Sequence, residues 1–379
     1  MKKIKIGDRL IGEGEPCFVI AEAGVNHNGD VNLAKKLIKV AKESNADAVK
    51  FQNWITEEIV TKELPKPEYQ KSTTKSEESQ YDMLKKLELS EKDFESLADY
   101  AKKLRIIFLS TPESKKCTDL LERLDVPAYK IGSADLTNHP HLEYVAKKNK
   151  PIILSTGMAT LEEVKDAVRI INNTGNKEIV LLHCTSNYPT KLKDVNLRAM
   201  LTLKKEFNLP VGYSDHTKGI GAAIVAVLLG TLVIEKHFTL DKNLPGPDHK
   251  ASVEPTELKE MIKGIRLAEK QIVSMNNLKK YLLSISNNIS IEKVVVNNLK
   301  TILGSSIKKP TKSEKEMIKL SRKYIIAAID IPKGIIITKD MLSIKRSGGG
   351  LEPKNFYRII GKKAKRIIKK NEIIDFNMV

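Results

Sequence analysis

The run "LVIEKHF", Leu232 to Phe238, reads as a buried strand until it reaches Glu235, Lys236 and His237, three groups that are costly to bury unpaired. Alternate residues of a strand share a face, so Glu235 and His237 point one way and Lys236 the other. The preceding run "PVGYSDH" repeats the pattern, with Ser214 and His216 on one face and Asp215 opposite. Two histidines at the ends of adjacent strands can hold a divalent cation through neutral imidazoles and leave other positions to water and substrate oxygens. Such an open site suits Mn2+ or Mg2+ better than a closed structural zinc. The plainer use for each histidine is a hydrogen bond that caps its strand.

Phosphate chemistry has separate candidates. Lys50 and Lys130 stand near the ends of two further runs, and Ser110, Thr111, Ser133, Ser155 and Thr156 at the ends of neighbouring ones. Two ammonium groups within a ring of hydroxyls and strand-end amides would hold a phosphate dianion by charge-assisted hydrogen bonds. Ordinary helix capping competes for some of these hydroxyls, because "STPES" and "STGMATLEE" place Ser and Thr just before acidic first turns. "NHNGD" supplies polar side chains after the first run. Asp248 lies in "LPGPDH", a loop stiffened by Pro245 and Pro247, where it could bond a polyol. A plain turn is the competing use of both segments.

Side chains this far apart in sequence meet only if many strand ends converge. Short β-branched runs recur through the first 270 residues: "FVIAEAG", "DAVKFQ", "IIFLST", "AYKIGS", "PIILST", "IVLLHCT", "PVGYSDH" and "LVIEKHF". Segments of helical spacing separate them, such as "VNLAKKLIKVAKESN" and "TLEEVKDAVRIINNT". Every run ends in polar groups, Glu22 among them, and a (β/α)8 TIM barrel is the frame that gathers such ends at one mouth. A doubly wound open sheet would more often show a glycine-rich first turn, and "EAGVNHNG" contains no GxGxxG. The expected organisation is a catalytic barrel over residues 1–270, an Asn/Ser/Lys-rich insertion and linker over 271–317, and a small turn-rich β module over 318–379.

A chain of 379 residues that is 41% hydrophobic can bury a large core and a smaller second one. The net charge of +18 is spread along the chain and interleaved with glutamates, and no RNP, helix-turn-helix or finger pattern accompanies it, which argues against nucleic acid. A basic excess would instead attract a small anionic substrate. No apolar run is long enough for a membrane span and no secretory pattern is visible, so the expected location is the cytoplasm, without a membrane partner. Cys17, Cys117 and Cys184 are isolated, which suits buried thiols in a reducing compartment.

Taken in order, "EAGVNHNG", "KFQ", "FLSTP", "YKIGS", "ILSTGM", "HCTSNYPT", "GYSDHT", "EKHFT" and "PGPDH" resemble the sialic acid synthase family, and Arg322 to Val379 resemble its C-terminal antifreeze-like (SAF) domain. The resemblance implies a transferase that condenses phosphoenolpyruvate with an N-acyl-mannosamine-type sugar to give a nine-carbon nonulosonic acid and phosphate. It implies His216 and His237 as metal ligands, with Mn2+ the first candidate and Mg2+ or Co2+ the alternatives. It implies Glu22 and Glu235 as catalytic carboxylates, and Lys50, Thr111, Lys130, Ser133, Ser155 and Ser214 around phosphoenolpyruvate. Gln52, Tyr188 and Asp248 match sugar contacts. Arg346 matches an arginine that the small domain offers to the N-acyl group over a partner's barrel in a homodimer. Ser347 departs from the family's proline there.

Ser186, where N-acetylneuraminate-forming members of the family tend to carry Asn, and "EAGVNHNGD" with "DHKAS" resemble the N,N'-diacetyllegionaminate branch, with N-acetylneuraminate synthesis from N-acetylmannosamine as the alternative. A synthase of shorter keto-acid sugars would need a second phosphate cluster for its sugar. A non-enzymatic glycan-binding protein would release no phosphate.

Overall fold

The apolar runs fold as eight parallel strands: β3 (Phe18–Gly24), β4 (Ala48–Asn53), β5 (Ile107–Pro112), β6 (Tyr129–Ile131), β7 (Ile152–Ser155), β8 (Ile179–His183), β9 (Val211–Asp215) and β10 (Val233–His237). The computed structural model describes residues 1–74, 77–271 and 276–379. The hydrogen-bonded order is β5-β4-β3-β10-β9-β8-β7-β6, and its two ends, β5 and β6, are neighbours in space, so the sheet closes on itself. A helix returns the chain after each strand, from Val31–Glu43 after β3 to Pro255–Ala268 after β10. This is a TIM-type barrel. Ahead of it, β1 (Ile4–Ile6) and β2 (Arg9–Ile11) form an antiparallel hairpin whose Ile4, Ile6 and Ile11 join the cluster inside the barrel.

Strand parity divides the barrel into core and mouth. Phe18, Ile20, Ala48, Leu109, Ala128, Ile153 and Val233 fill the interior, while Val19, Ala21, Val49, Leu154 and Ile234 pack outward. Two residues further along the inward parity stand Glu22, Lys50, Thr111, Lys130, Ser155 and Glu235. The interior leaves little room at β9. A Cβ on Gly212 would come within 2.4 Å of Leu182 Cδ2 and 2.7 Å of Val233 Cβ, so glycine lets the strand reach Ser214 and His216 without forcing the barrel open.

Residues 272–275 of the expected insertion lie outside the described residues. Beyond them, helices Leu278–Ser286, Lys293–Asn297 and Leu299–Leu303 pack on the barrel, with Leu278, Leu282, Ile285 and Val295 buried in the main core. The physical reason lies in the helix Gly221–Leu228, "GAAIVAVL", which is buried at every position. A helix apolar all round needs cover on its outer side as well. Glu292 caps the start of that helix, accepting from Ile220 N at 2.7 Å and Gly221 N at 2.9 Å.

The small C-terminal domain is built on β11 (Lys323–Ala327) paired antiparallel with β12 (Leu342–Arg346). Its own core holds Ile325, Ile331, Ile337, Phe356, Ile359 and Ile368. It rests on the barrel mouth, where Lys323 pairs with Asp135 at 2.8 Å and Glu113 at 3.2 Å. Among the described residues no helix is long and apolar enough to cross a membrane.

If residues 278–303 are part of the barrel core, Leu282→Ala leaves a cavity there and costs about 2–5 kcal/mol of stability in chemical denaturation. A loss below about 0.5 kcal/mol would be the behaviour of a surface site.

Candidate active site

Every residue that the family resemblance implies for the site lines one cavity of about 160 Å³ at the carboxyl ends of the strands. That is room for a guest at least the size of benzene, which fills an engineered cavity of about 150 Å³. Glu22 and Lys50 are contributed by neighbouring strands and pair at 2.8 Å. Lys50 also donates to Thr111 Oγ1 at 3.1 Å and lies 3.8 Å from Glu235. Lys130 donates to Ser155 Oγ at 2.7 Å and lies 3.5 Å from the other oxygen of Glu235. Ser214 donates to Glu235 at 2.8 Å, and Gln52 donates to Glu22 at 3.1 Å.

The two carboxylates are driven apart in acidity. Burial pushes Glu22 up, and although Lys50 opposes that, the nearby Glu235 adds to it. Burial acts on Glu235 in the same direction, but Lys130, Lys50 and the Ser214 hydroxyl overcome it and hold the carboxyl at about 2. Two acids whose surroundings split them this way can act in different protonation states at one pH. Lys50 is raised because Glu22 and Glu235 outweigh its burial, whereas burial lowers Lys130.

His216 and His237 are buried, their ring centroids 5.7 Å apart, with Tyr188 tilted against His216 at 4.2 Å and edge-on to His237 at 5.7 Å. Burial lowers both histidines, and each positive charge nearby, the other imidazole included, lowers His237 further. Both are therefore neutral near pH 7. His216 donates through Nδ1 to Thr185 O at 2.8 Å, and its Nε2 lone pair lies on the cavity side, 3.3 Å from Ser214 Oγ. Buried His237 Nδ1 has no hydrogen-bond partner among the described residues. Strand capping thus accounts for one nitrogen of His216 and for none of the buried His237 nitrogen. Two neutral imidazoles fit a divalent cation whose remaining ligands are substrate oxygens and water. Among the described residues no group of three or more His, Cys, Asp or Glu is arranged to hold a metal.

The opposite parity is structural. Lys236 and Asp215 face away from the cavity and pair at 2.8 Å, fully buried, with Lys236 also donating to Thr217 O at 2.5 Å. The competing uses of the hydroxyls separate cleanly. Ser114 and Thr160 cap their helices. Ser110 donates to Phe51 O and Thr156 to Leu182 O, so neither faces the cavity. Thr111, Ser133 and Ser155 do. "NHNGD" is a tie between loops: Asn26 donates to Phe238 O and Ser252 Oγ at 2.8 Å, and Asn28 meets His249.

Arg346 reaches the cavity over its own barrel, where the resemblance implied a partner's. Its Nη2 donates to both oxygens of Glu113 at 2.7 and 2.9 Å, and Nη1 to Gln80 at 3.3 Å. Ser347 turns the chain by donating to Gly349 O at 2.9 Å. Burial alone would raise Glu113, but Arg346 and Lys323 hold it at about 2. Sequence reasoning missed Glu113, Gln80 and Tyr69. Glu113 follows β5 directly in "STPES", a signal that was available; Gln80 and Tyr69 come from short helices in the β4 connection, where nothing local marks them.

The chain as a whole is similar to known proteins. Residues 37–277 match the NeuB family and residues 322–379 the SAF domain. The chain belongs to the NeuB family. It is 45% identical over 359 residues to the N,N'-diacetyllegionaminic acid synthase of Campylobacter jejuni, covering 94% of this chain and 98% of that one. The Legionella pneumophila protein of the same name is 45% identical over 92% of this chain and 91% of its own. The crystal structure of the spore coat polysaccharide biosynthesis protein SpsE of Bacillus subtilis superimposes with a TM-score of 0.79 at 34% identity, covering 100% of this chain and 99% of that one. As a member of this sialic acid synthase family the chain is an enzyme, a transferase.

Asp248 carries a pH signature. Burial, and then the charge of Glu22, push its carboxyl from 3.8 up to about 7. The folded protein therefore holds a proton that the unfolded chain has released, and stability contributed by this group falls as pH rises from about 4 to about 7. Asp248→Asn removes that loss. Its melting temperature relative to the unsubstituted protein should climb between about pH 4 and pH 7, by no more than about 4 kcal/mol in equivalent stability. A difference independent of pH would place the titration elsewhere.

Proposed function

We propose that this NeuB family member condenses phosphoenolpyruvate with a diacetamido sugar aldehyde of the N,N'-diacetyllegionaminate branch, releasing phosphate. The single observation that carries the reading is the convergence of Lys50 and Lys130 on Glu235 beside two neutral imidazoles in one buried cavity. Phosphate and carboxylate of phosphoenolpyruvate bind at Lys50, Lys130 and the hydroxyls of Thr111, Ser133, Ser155 and Ser214. The sugar lies across Gln52, Tyr188, Asp248 and Arg346.

C3 of phosphoenolpyruvate bonds to the aldehyde carbon, whose oxygen takes a proton from Glu22, and C2 becomes an oxocarbenium centre. Water adds to C2. Glu22, made more basic by burial, accepts a proton from that water, and Glu235 stays ionised beside the developing positive charge. The bond between C2 and the bridging oxygen of the phosphate then breaks as the new C2 hydroxyl gives its proton to the leaving group, leaving a 2-keto acid and hydrogen phosphate. His216 and His237 would hold a divalent cation, Mn2+ first among the candidates, and a cation bound there supplies Lewis-acid polarisation of the aldehyde oxygen.

The choice of branch is supported by the relatives named above and by one wall of the cavity. Val25, Trp54, Ile59, Met83, Leu84 and Leu87 line it near Arg346. An apolar wall suits methyl and acyl groups better than a fully hydroxylated chain end, whose hydroxyls would go unpaired there. The purified protein should release phosphate from phosphoenolpyruvate at least about tenfold faster, as kcat/KM, with a 2,4-diacetamido-trideoxy sugar than with N-acetylmannosamine. Equal turnover of N-acetylmannosamine would favour the N-acetylneuraminate branch instead. His237→Ala should lower phosphate release about 100-fold or more, and Mn2+ should restore the chelated parent protein but not this variant.

The exchange of small domains in a homodimer belongs to the same reading, because a swapped dimer keeps the contacts of Arg346 and changes only which chain supplies them. Mixed and refolded His237→Ala and Arg346→Ala chains should then regain activity that neither has alone. Arginine acting only within its own chain would leave the mixture inactive.

A further inference from the structure

One buried carboxylate takes no part in the chemistry above. Glu314 lies in the linker between the barrel and the SAF domain and is 2% exposed. Its two oxygens do separate jobs. Oε2 accepts from Thr311 N at 2.7 Å and Thr311 Oγ1 at 3.0 Å, capping its own turn. Oε1 reaches into the barrel mouth, accepting from Met158 N at 2.7 Å and Ser186 N at 2.8 Å. Met158 and Ser186 belong to the loops that follow β7 and β8, and both line the cavity. A local cap needs only the first pair of bonds.

Met158 is an expensive residue to hold. Its φ of 59° lies in the left-handed region, which costs a side-chain-bearing residue about 1–3 kcal/mol unless its surroundings fix it. They do: Glu314 takes its N–H, and Arg322, at the start of the SAF domain, donates to its carbonyl at 2.7 Å. Lys308, also in the linker, donates to Ala159 O at 2.8 Å. Just before Met158, Gly157 N donates to Ser133 Oγ at 3.0 Å. A Cβ on Gly157 would lie 2.3 Å from Ser186 Oγ and 2.7 Å from Ser133 Oγ, so the three loops meet with no slack. Ser155, three residues before Met158, receives the Lys130 bond.

We propose that Glu314 is a positioning residue for the phosphoenolpyruvate end of the cavity. It sets the loop from Ser155 to Met158 against Ser133 and Ser186, so that hydroxyls from β6 and β7 meet the phosphate at the right spacing, and it couples docking of the linker to that geometry. On the sugar side, Arg346 is held by Glu113 and Asp248 by Ser252, and only Tyr188, two residues beyond the Ser186 amide, stands near this carboxylate's grip. The proposal builds on phosphoenolpyruvate being the substrate.

The test is steady-state kinetics of the full-length protein, with phosphoenolpyruvate and the preferred sugar varied separately. Glu314→Ala should raise the KM for phosphoenolpyruvate about tenfold and leave the sugar KM within about twofold, the size of effect that loss of positioning produces. Thr311→Ala, which removes the capping hydroxyl alone, should lower thermal stability and leave the phosphoenolpyruvate KM unchanged. Glu314→Asp keeps the charge one methylene short of the two amides. It should also raise the phosphoenolpyruvate KM selectively, and serves where the alanine variant fails to fold. Parallel rises in both KM values, or an unchanged phosphoenolpyruvate KM in the Asp and Ala variants, would overturn the positioning role while leaving the reaction intact. A parent protein that consumes no phosphoenolpyruvate would overturn the proposed reaction, and this role with it.

Discussion

Glu22, Lys50, Lys130 and Glu235 share one patch at the barrel mouth, none more than 4% exposed. Removing an ion from water costs several kcal/mol even after relaxation, so each of the four survives there only because the others are present. The contacts are unequal. Lys50 and Glu22 touch at 2.8 Å, whereas Lys50 and Lys130 stay 3.8 and 3.5 Å from Glu235. The lysines are near enough to the carboxylates to remain inside the protein and loose enough to accept another anion. A closed barrel is what permits this, since its strands deliver one ion each to the same few ångströms and its interlocked interior keeps them from drifting.

The same constraint explains why the small domain and linker carry so many charges toward the barrel. The mouth is a concentration of buried cations and carboxylates, and whatever covers it must satisfy the polar groups at its rim. Lys323 and Arg346 converge on Glu113, and Lys323 also meets Asp135. Arg322 pairs with Glu163 at 2.7 Å while holding the carbonyl of Met158. The cover is therefore ionic and hydrogen-bonded at its edge, with its own apolar core kept behind.

Much of the barrel was legible because strand periodicity is a strong signal when both faces are buried. The polar endings Glu22, Lys50, Thr111, Lys130, Ser155, Glu235 and His237 fall on the parity that also carries Ile20, Ala48, Leu109, Ala128, Ile153 and Val233, and alternation alone sorts the inward Glu235 and His237 from the outward Lys236. The signal was weaker for the hydroxyls. Ser110 and Thr111 are neighbours of similar chemistry, and only their parity, fixed by the register of β5 on β4, sends one to the cavity and the other to a backbone carbonyl. Residues 278–303 look like an Asn- and Lys-rich insertion because Asn, Ser and Lys break their apolar positions into short pieces. Their role follows from the fully apolar helix Gly221–Leu228, which needs a cover.

The sequence by itself determined the repeat of strand and helix, the face on which each candidate group stands, and the ordered motifs of a NeuB family member. These are local or periodic properties, written within a few residues of where they act. Tertiary structure alone decided which groups share a charge, that Glu22 rises while Glu235 falls to about 2, that Arg346 finds Glu113, and that Glu314 grips two loops at once. Those outcomes depend on distances between residues up to 233 positions apart. No local pattern encodes such a distance; it exists only once the barrel has closed and water has left its mouth.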